Sequence, residues 1–180
     1  MSNKHTLIII MGVSGAGKST LAKVIQESHK DCVIISRDQI RFAMLKDGED
    51  YFAHEDKVEK NYYNAISAAL HTHKYVIADA TQITTKSRCK LFSNINVPDK
   101  TKIVGVWVEV DESTAIKNNS RRTGRAFVPE EVIKQMYKHK VSPRDHEPFD
   151  DIIYVSKHVD LAIGKESVKI ENVFDKLRNI

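Results

Sequence analysis

The chain has 180 residues, a length typical of one domain, and its 41% hydrophobic and 29% charged residues are ordinary proportions for a globular protein. Its 28 basic and 24 acidic residues leave a net charge of +4, which permits a polyanionic partner without demanding one. No apolar run approaches the ~20 residues that span a bilayer, and the first apolar run begins too early for a signal peptide. Cys32 and Cys89 are far apart and form no C-x-x-C pattern. We therefore expect one cytoplasmic domain over 1–180, with no membrane contact.

The first predicted strand leads directly into a glycine-rich loop. The apolar run 7–11 is typical of a strand buried on both faces of a sheet, and residues 12–19 follow the pattern G-x-x-x-x-G-K-[S/T]. In such a loop the backbone N–H groups surround phosphate oxygens, Lys18 reaches the β- and γ-phosphates and the Ser19 hydroxyl ligates Mg²⁺. A helix predicted at 18–29 adds its positive N-terminal dipole. The predicted nucleotide-binding residues of the loop are Gly12, Val13, Ser14, Gly15, Ala16, Gly17, Lys18, Ser19 and Thr20.

The remaining chain alternates between predicted strands and helices. Further strands are predicted at 32–36, 75–79, 102–110 and 151–156. Further helices are predicted at 38–46, 54–72, 84–95, 112–121, 129–139 and 167–178. This alternation predicts an α/β fold with right-handed crossovers, in which a five-stranded parallel sheet carries helices on both faces. A ligand is then expected at the carboxyl ends of the strands.

Asp38 and Arg41 follow the second predicted strand. They are three residues apart and would share one face of a helix. If this strand lies next but one to the first, both side chains point toward the γ-phosphate. The carboxylate could then accept the proton of an attacking hydroxyl, and the guanidinium could bind an anionic group of the acceptor. The alternative is a helix cap with a surface ion pair.

The third predicted strand ends at Asp79, within "YVIADATQIT". Asp79 is expected either beside the ligands of Mg²⁺ or in contact with the acceptor, and the alternative is a carboxylate that only caps the turn. Thr84 is predicted to cap the next helix. This would leave Thr81 and Gln82 facing the site.

Three arginines lie between two predicted helices, in "NNSRRTGRAFVPEEV". Thr123 and Gly124 interrupt the first helix, and Pro129 begins the second. A helix–loop–helix carrying arginines over about 121–140 is typical of the lid that closes over ATP in phosphoryl-transfer enzymes. The alternative is a solvated basic turn.

Taken together, these segments resemble the polynucleotide-kinase and zeta-toxin-like P-loop kinases, including the kinase domain of the bacteriophage polynucleotide kinase. The resemblance covers about residues 7–155 and rests on "GVSGAGKST", "SRDQIR", "VIADAT", "KNNSRRTGRAFVP" and "EEVIKQMY". It implies an adenylate-kinase-like sheet, Asp38 as general base and Arg41 on the acceptor's 3′-phosphate. Asp79 and Thr81 match its acceptor segment. Arg122 matches best the catalytic lid arginine that grips the ATP phosphates, and Arg121 and Arg125 stay open as alternatives for it.

The resemblance implies an ATP- and Mg²⁺-dependent kinase whose first-choice acceptor is the 5′-hydroxyl of DNA or RNA. The chain has no D-x-D-G-T phosphatase motif, so removal of 3′-phosphates is not expected. Relatives act on other hydroxyls, so a sugar, a sugar acid, a small metabolite or a hydroxymethylated base in DNA stays open as the acceptor. A non-kinase ATP-binding module is a third possibility. The sequence distinguishes neither DNA from RNA nor one oligomeric state from another.

Overall fold

The computed structural model describes residues 5–156 together with Lys176 and Ile180; apart from Lys176, the predicted helix 167–178 lies outside this part of the chain. The strands are β1 (Thr6–Met11), β2 (Cys32–Ser36), β3 (Tyr75–Asp79), β4 (Lys102–Glu109) and β5 (Asp151–Ser156). The α-helices are α1 (Lys18–Ser28), α2 (Arg37–Met44), α3 (Glu55–Ala69), α4 (Thr85–Asn94), α5 (Glu112–Ser120) and α6 (Glu130–His139). A single 3₁₀ turn, Gly124–Ala126, lies between α5 and α6.

The strands form one parallel sheet in the order β2-β3-β1-β4-β5. The predicted five-stranded parallel sheet is therefore confirmed. Because β1 lies in the centre, all six of its residues are buried, as its apolar sequence predicts. β2 lies next but one to β1, which is the condition on which the placement of Asp38 and Arg41 depended. In the register, Ile10 of β1 is level with Asp79 of β3, so the phosphate loop and the end of β3 are neighbours.

Alternate residues of β1 feed two separate cores, one on each face of the sheet. Ile8 and Ile10 pack on the face that α1 covers, and Leu7, Ile9 and Met11 pack on the face that α3 covers. The helices supply matching apolar side chains, which are Leu21, Ala22 and Ile25 of α1 and Tyr62 and Ile66 of α3. Within the described residues, no helix is both long and apolar enough to cross a membrane.

Helix α2 begins one residue earlier than the sequence predicts, directly after β2. The Ser36 hydroxyl caps it by accepting a hydrogen bond from the Gln39 backbone N–H. Asp38 is therefore not the cap and lies inside the first turn. Ser36 in this role leaves the Asp38 carboxylate available for other contacts.

Arg88 of α4 connects two loops at the carboxyl end of the sheet through buried hydrogen bonds. Its side chain is fully buried and donates to both carboxylate oxygens of Glu147, at 2.5 and 2.8 Å. It also donates to the carbonyl oxygens of Gln82 and Val141. Arg88 therefore holds the β3–α4 loop, which borders the site, against the segment that follows α6.

Candidate active site

The phosphate loop between β1 and α1 has a backbone that only glycine can adopt at two positions. Gly12 and Gly15 have φ angles of +150° and +83°. A Cβ at Gly12 would lie 2.5 Å from the Val108 carbonyl oxygen, and one at Gly15 would lie 2.1 Å from that of Ala115. The loop therefore packs directly against the backbone of β4 and α5. Two of its N–H groups donate within the fold, that of Gly12 to the Thr81 carbonyl oxygen and that of Ala16 to the Val13 carbonyl oxygen, and the others are candidates for binding an anion.

Lys18 is buried at the start of α1, and its ammonium donates to the Val13 carbonyl oxygen at 2.8 Å. Burial lowers the pKa of Lys18 to about 8; the negative charge of Asp79 opposes this change and the positive charge of Arg122 adds to it. A buried ammonium of this kind gains from any anion that enters the loop. This is the behaviour expected of a phosphate-binding lysine.

Ser19 and Asp79 form the second part of the site. The Ser19 hydroxyl donates to Asp79 Oδ2 at 2.8 Å, and the Asp79 side chain is buried. Hydroxyl and carboxylate oxygens are ligands that Mg²⁺ accepts, directly or through water. Among the described residues, no group of three or more His, Cys, Asp or Glu side chains could hold a metal alone. The donor set therefore fits a Mg²⁺ ion that also takes oxygens from nucleotide phosphates.

Asp38 and Arg41 of α2 lie in direct contact. Arg41 Nη1 donates to Asp38 Oδ1 at 2.6 Å and to the Tyr51 hydroxyl at 2.8 Å, and Nη2 donates to Glu55 Oε2 at 2.7 Å. The Tyr51 hydroxyl in turn donates to Asp38 Oδ1 at 2.9 Å. Both donors use Oδ1, and no described residue donates to Oδ2. The second oxygen of this half-exposed carboxylate is therefore available for an acceptor hydroxyl.

Burial has different consequences for the two partners of Asp38. Burial alone would lower the pKa of Arg41, but the hydrogen bond and charge of Glu55, with Tyr51 and Asp38, raise it above the ordinary value. Burial, reinforced by the charge of Asp38, raises the pKa of Tyr51 to about 12. At neutral pH, Arg41 therefore stays cationic and Tyr51 stays a donor, so the orientation of Asp38 is maintained.

The three arginines between α5 and α6 have different surroundings. Arg122 is half-buried and lines the site, where its charge acts on Lys18. Arg125 also lines the site, but it donates to the carbonyl oxygens of Leu45 and Lys46, at 3.2 and 2.8 Å. Arg121 is exposed at the end of α5 and does not line the site.

One cavity of about 230 Å³ collects these groups. The predicted site residues that line it are Ser14, Lys18, Ser19, Asp38, Arg41, Asp79, Thr81, Arg122 and Arg125. Thr84 caps α4 as predicted, with a reciprocal bond to Ser87. Gln82, expected beside Thr81, does not line the cavity and is buried behind it.

Several lining residues were not predicted from the sequence; besides Ser36 and Ala80 at the strand ends, they include Arg37, Tyr51, Phe52 and Glu55. The last three lie in or just after the loop between α2 and α3. The one sequence signal for them is the aromatic pair in "KDGEDYFAHED", since two adjacent aromatic residues are unusual in a polar loop. Apolar side chains from residues 121–139, here called the α5–α6 segment, complete the wall, and these are Ala126, Val128, Val132 and Met136.

A family model described as an AAA domain matches residues 7–142, which include the phosphate loop, Asp38, Arg41 and all three lid arginines. The chain belongs to this family. The AAA domain assignment covers β1 to the end of α6 and supports a P-loop kinase fold that binds a nucleotide. No curated protein matches the sequence.

Solved structures share the fold of this AAA domain at low sequence identity. Kti12 from Chaetomium thermophilum, in complex with ADP-AlF3, is 17% identical with a TM-score of 0.66, over 96% of this chain and 97% of that one. A chain of the Pnkp1/Rnl/Hen1 RNA repair complex is 20% identical with a TM-score of 0.66, over 94% of this chain and 54% of that one. A gluconokinase from Sinorhizobium meliloti 1021 is 18% identical with a TM-score of 0.60, over 99% and 94%. These likenesses show a common kinase fold.

Proposed function

We propose that this protein is an ATP-dependent kinase that transfers the γ-phosphate to the 5′-hydroxyl of a nucleic acid. The observation that carries the proposal is the pairing of Asp38 with the nearly buried Arg41 in the cavity that also contains Lys18. The carboxylate suits a hydroxyl, and the guanidinium suits an anionic group close to that hydroxyl. The 5′-terminal nucleotide of DNA or RNA has both groups, because its 3′-phosphate lies on the same sugar as its 5′-hydroxyl.

In this mechanism the chain binds the donor from one side and the acceptor from the other. The N–H groups of the phosphate loop and the Lys18 ammonium hold the phosphates of ATP, and Arg122 neutralises charge on the transferred group. Mg²⁺ held near Ser19 and Asp79 would neutralise further charge on the phosphate oxygens. Asp38 Oδ2 accepts the proton of the acceptor hydroxyl while the oxygen of that hydroxyl forms a bond to the γ-phosphorus. The bond from that phosphorus to the β–γ bridging oxygen breaks, and ADP leaves.

The similar structures offer two kinds of acceptor. One belongs to an RNA repair complex and one is a gluconokinase. A sugar acid is therefore the second candidate, since Arg41 would bind a carboxylate as well as a phosphate. The cavity wall favours the nucleic acid, because Phe52, Val132 and Met136 give it apolar surface that a hydroxylated sugar acid would not use.

A cytoplasmic location is part of the same proposal. Cys32 and Cys89 are both free thiols. Burial, with the charge of Asp31, raises the pKa of Cys32 to about 11, so this thiol stays protonated and unreactive at neutral pH. Free thiols are usual in proteins of a reducing compartment.

The test is transfer of label from γ-labelled ATP to a 5′-hydroxyl oligonucleotide by the wild type and Asp38→Asn. We expect the variant to lose roughly 10²- to 10⁴-fold in kcat, the usual contribution of a general base, while its affinity for ATP stays the same. Asp56→Asn is the matched control, because Asp56 is an exposed first-turn carboxylate that does not line the cavity. Equal transfer by wild type and Asp38→Asn would remove Asp38 from the mechanism.

A further inference from the structure

Phe52 is a large aromatic side chain that the fold leaves in the open. Its side chain is 63% exposed, the highest value among the large hydrophobic residues that are exposed in the described chain. It nevertheless lines the same cavity as Asp38 and Arg41. Phe127, the other exposed phenylalanine of the described residues, does not line that cavity. Phe52 is therefore the exposed phenylalanine at the acceptor end of the site.

Phe52 is held against the groups that surround Asp38. Its ring contacts the ring of Tyr51 edge-on, with centroids 4.8 Å apart and planes at 83°. The Arg41 guanidinium lies 4.4 Å from the Tyr51 ring centroid and 5.9 Å from that of Phe52. Since the Tyr51 hydroxyl binds Asp38, one aromatic pair connects the proposed base, the proposed anion site and an exposed ring face.

The backbone of Phe52 is hydrogen-bonded on both sides. Its N–H donates to the Asp50 carboxylate at 2.8 Å, and its carbonyl oxygen accepts from the Glu55 N–H at 3.1 Å. Arg125 holds the start of the same loop through the carbonyl oxygens of Leu45 and Lys46. These bonds reduce the cost of ordering the loop that carries the Phe52 ring when a ligand binds.

Three groups of the cavity can bind an acceptor: the Asp38 carboxylate, the Arg41 guanidinium and the exposed Phe52 ring. A ligand that contacts all three has a hydroxyl, a nearby anionic group and a flat apolar face. A terminal nucleotide has such a face in its base, and a sugar acid has none. We propose that Phe52 is the surface on which the base of the acceptor's terminal nucleotide stacks. This inference rests on the proposed function and narrows the acceptor to a nucleotide end that carries its base.

The first test compares two acceptors that differ only in the base of the 5′-terminal nucleotide. One oligonucleotide carries a base there, and the other has an abasic residue. Because stacking on an aromatic side chain is worth about 1–3 kcal/mol per base, we expect the wild type to prefer the base by roughly 5-fold or more in kcat/KM. Phe52→Ala should lose this preference and Phe52→Trp should keep it. Phe127→Ala, the matched control, should also keep it.

The second test needs no phosphate transfer. An oligonucleotide with 2-aminopurine as its 5′-terminal base is titrated with protein in the absence of ATP. Stacking quenches 2-aminopurine fluorescence, so we expect quenching by the wild type and Phe52→Trp and its loss in Phe52→Ala.

The outcomes separate the inference from the proposed function. Labelling of both oligonucleotides at equal kcat/KM by the wild type and Phe52→Ala would overturn the stacking role while leaving the proposed function intact. No labelling by the wild type, together with quenching that requires Phe52, would overturn the 5′-hydroxyl acceptor and leave the stacking surface supported. Neither labelling nor quenching would overturn both.

Discussion

Lys18 shows how a single buried charge connects stability with ligand binding. Its pKa falls from the ordinary 10.5 to about 8 because burial penalises the ammonium. Each unit of pKa corresponds to about 1.4 kcal/mol, so this fall represents about 3 kcal/mol of destabilisation in the nucleotide-free protein. The folded protein retains the buried ammonium despite this destabilisation, and the negative charge of bound phosphates would offset the destabilisation.

We predict that Lys18→Met is more stable than the wild type at pH 7 without nucleotide, by about 1–3 kcal/mol, since loss of the hydrogen bond to Val13 offsets part of the gain. The unfolded lysine binds more protons than the folded one between pH 8 and 10.5. The difference between the two proteins should therefore be largest below pH 8 and should shrink as pH rises toward 10.5. Urea unfolding of both proteins across this range measures it.

The same variant separates stability from binding. ATP should raise the unfolding midpoint of the wild type but not that of Lys18→Met, because the phosphates lose their buried partner. A variant that is less stable than the wild type at every pH, or that ATP still stabilises fully, would contradict this account of Lys18.

Among the secondary-structure elements, the α5–α6 segment carries arginines with different contacts. Arg122 faces the phosphate loop, whereas Arg125 binds the loop that follows α2. The segment also contributes apolar side chains to the cavity wall, including Val128 and Val132. A closing segment of this kind would bring its arginine to the transferred phosphate and exclude water.

We predict that Arg122→Ala lowers kcat by roughly 10²- to 10³-fold, the usual effect of removing one group that stabilises charge in the transition state. Arg121→Ala, a change at the neighbouring exposed arginine, should stay within about 3-fold of the wild type, since surface substitutions away from a site have small effects. Steady-state transfer assays of both variants, with circular dichroism to verify folding, measure this. A larger loss of kcat in Arg121→Ala than in Arg122→Ala would show that Arg122 is not the catalytic arginine.

The sequence predicts the elements well because each carries a local signal. The apolar run predicts β1, the glycines predict the phosphate loop, and the Thr84 cap predicts the start of α4. Element boundaries are less accurate: the helix predicted at 54–72 ends at Ala69. The end of a helix depends on where tertiary packing stops, and short-range sequence does not encode that.

The loop between α2 and α3 contributes residues to the site that could not be predicted from the sequence. Tyr51 lies 13 residues from Asp38 along the chain, yet the two side chains share a hydrogen bond. No spacing rule predicts this contact, because an irregular loop has no fixed period. Strand-end residues such as Asp79 could be placed, since the ends of parallel strands meet at one edge of the sheet.

For the molecule as a whole, the buried Arg88–Glu147 pair connects α4 with the segment after α6. Burial raises the pKa of Glu147, but the hydrogen bonds and charge of Arg88 bring it below the ordinary value. Glu147 is therefore ionised in the folded protein. Arg88 supplies both side-chain hydrogen bonds to it, and the Arg144 backbone N–H donates a third hydrogen bond at 3.0 Å.

We predict that Arg88→Met lowers the free energy of unfolding by about 3–5 kcal/mol, because it leaves a buried carboxylate without its cation. Adding Glu147→Gln should restore part of the loss. Lys90→Met is the matched control on the same helix; Lys90 is more than half exposed, so its pair with Glu59 should contribute at most about 1 kcal/mol. Urea unfolding of the four proteins measures these values, and equal losses for Arg88→Met and Lys90→Met would contradict the structural role of Arg88.

The proposed acceptor is the hydroxyl at the 5′ end of a nucleic acid. The most direct measurement offers γ-labelled ATP to two oligonucleotides of identical sequence, one with a free 5′-hydroxyl and one with that oxygen methylated, and to gluconate in parallel. We expect label on the oligonucleotide with the free 5′-hydroxyl alone, recovered on its 5′-terminal nucleotide after digestion. Label on the methylated oligonucleotide or on gluconate, with none on the free 5′ end, would contradict it.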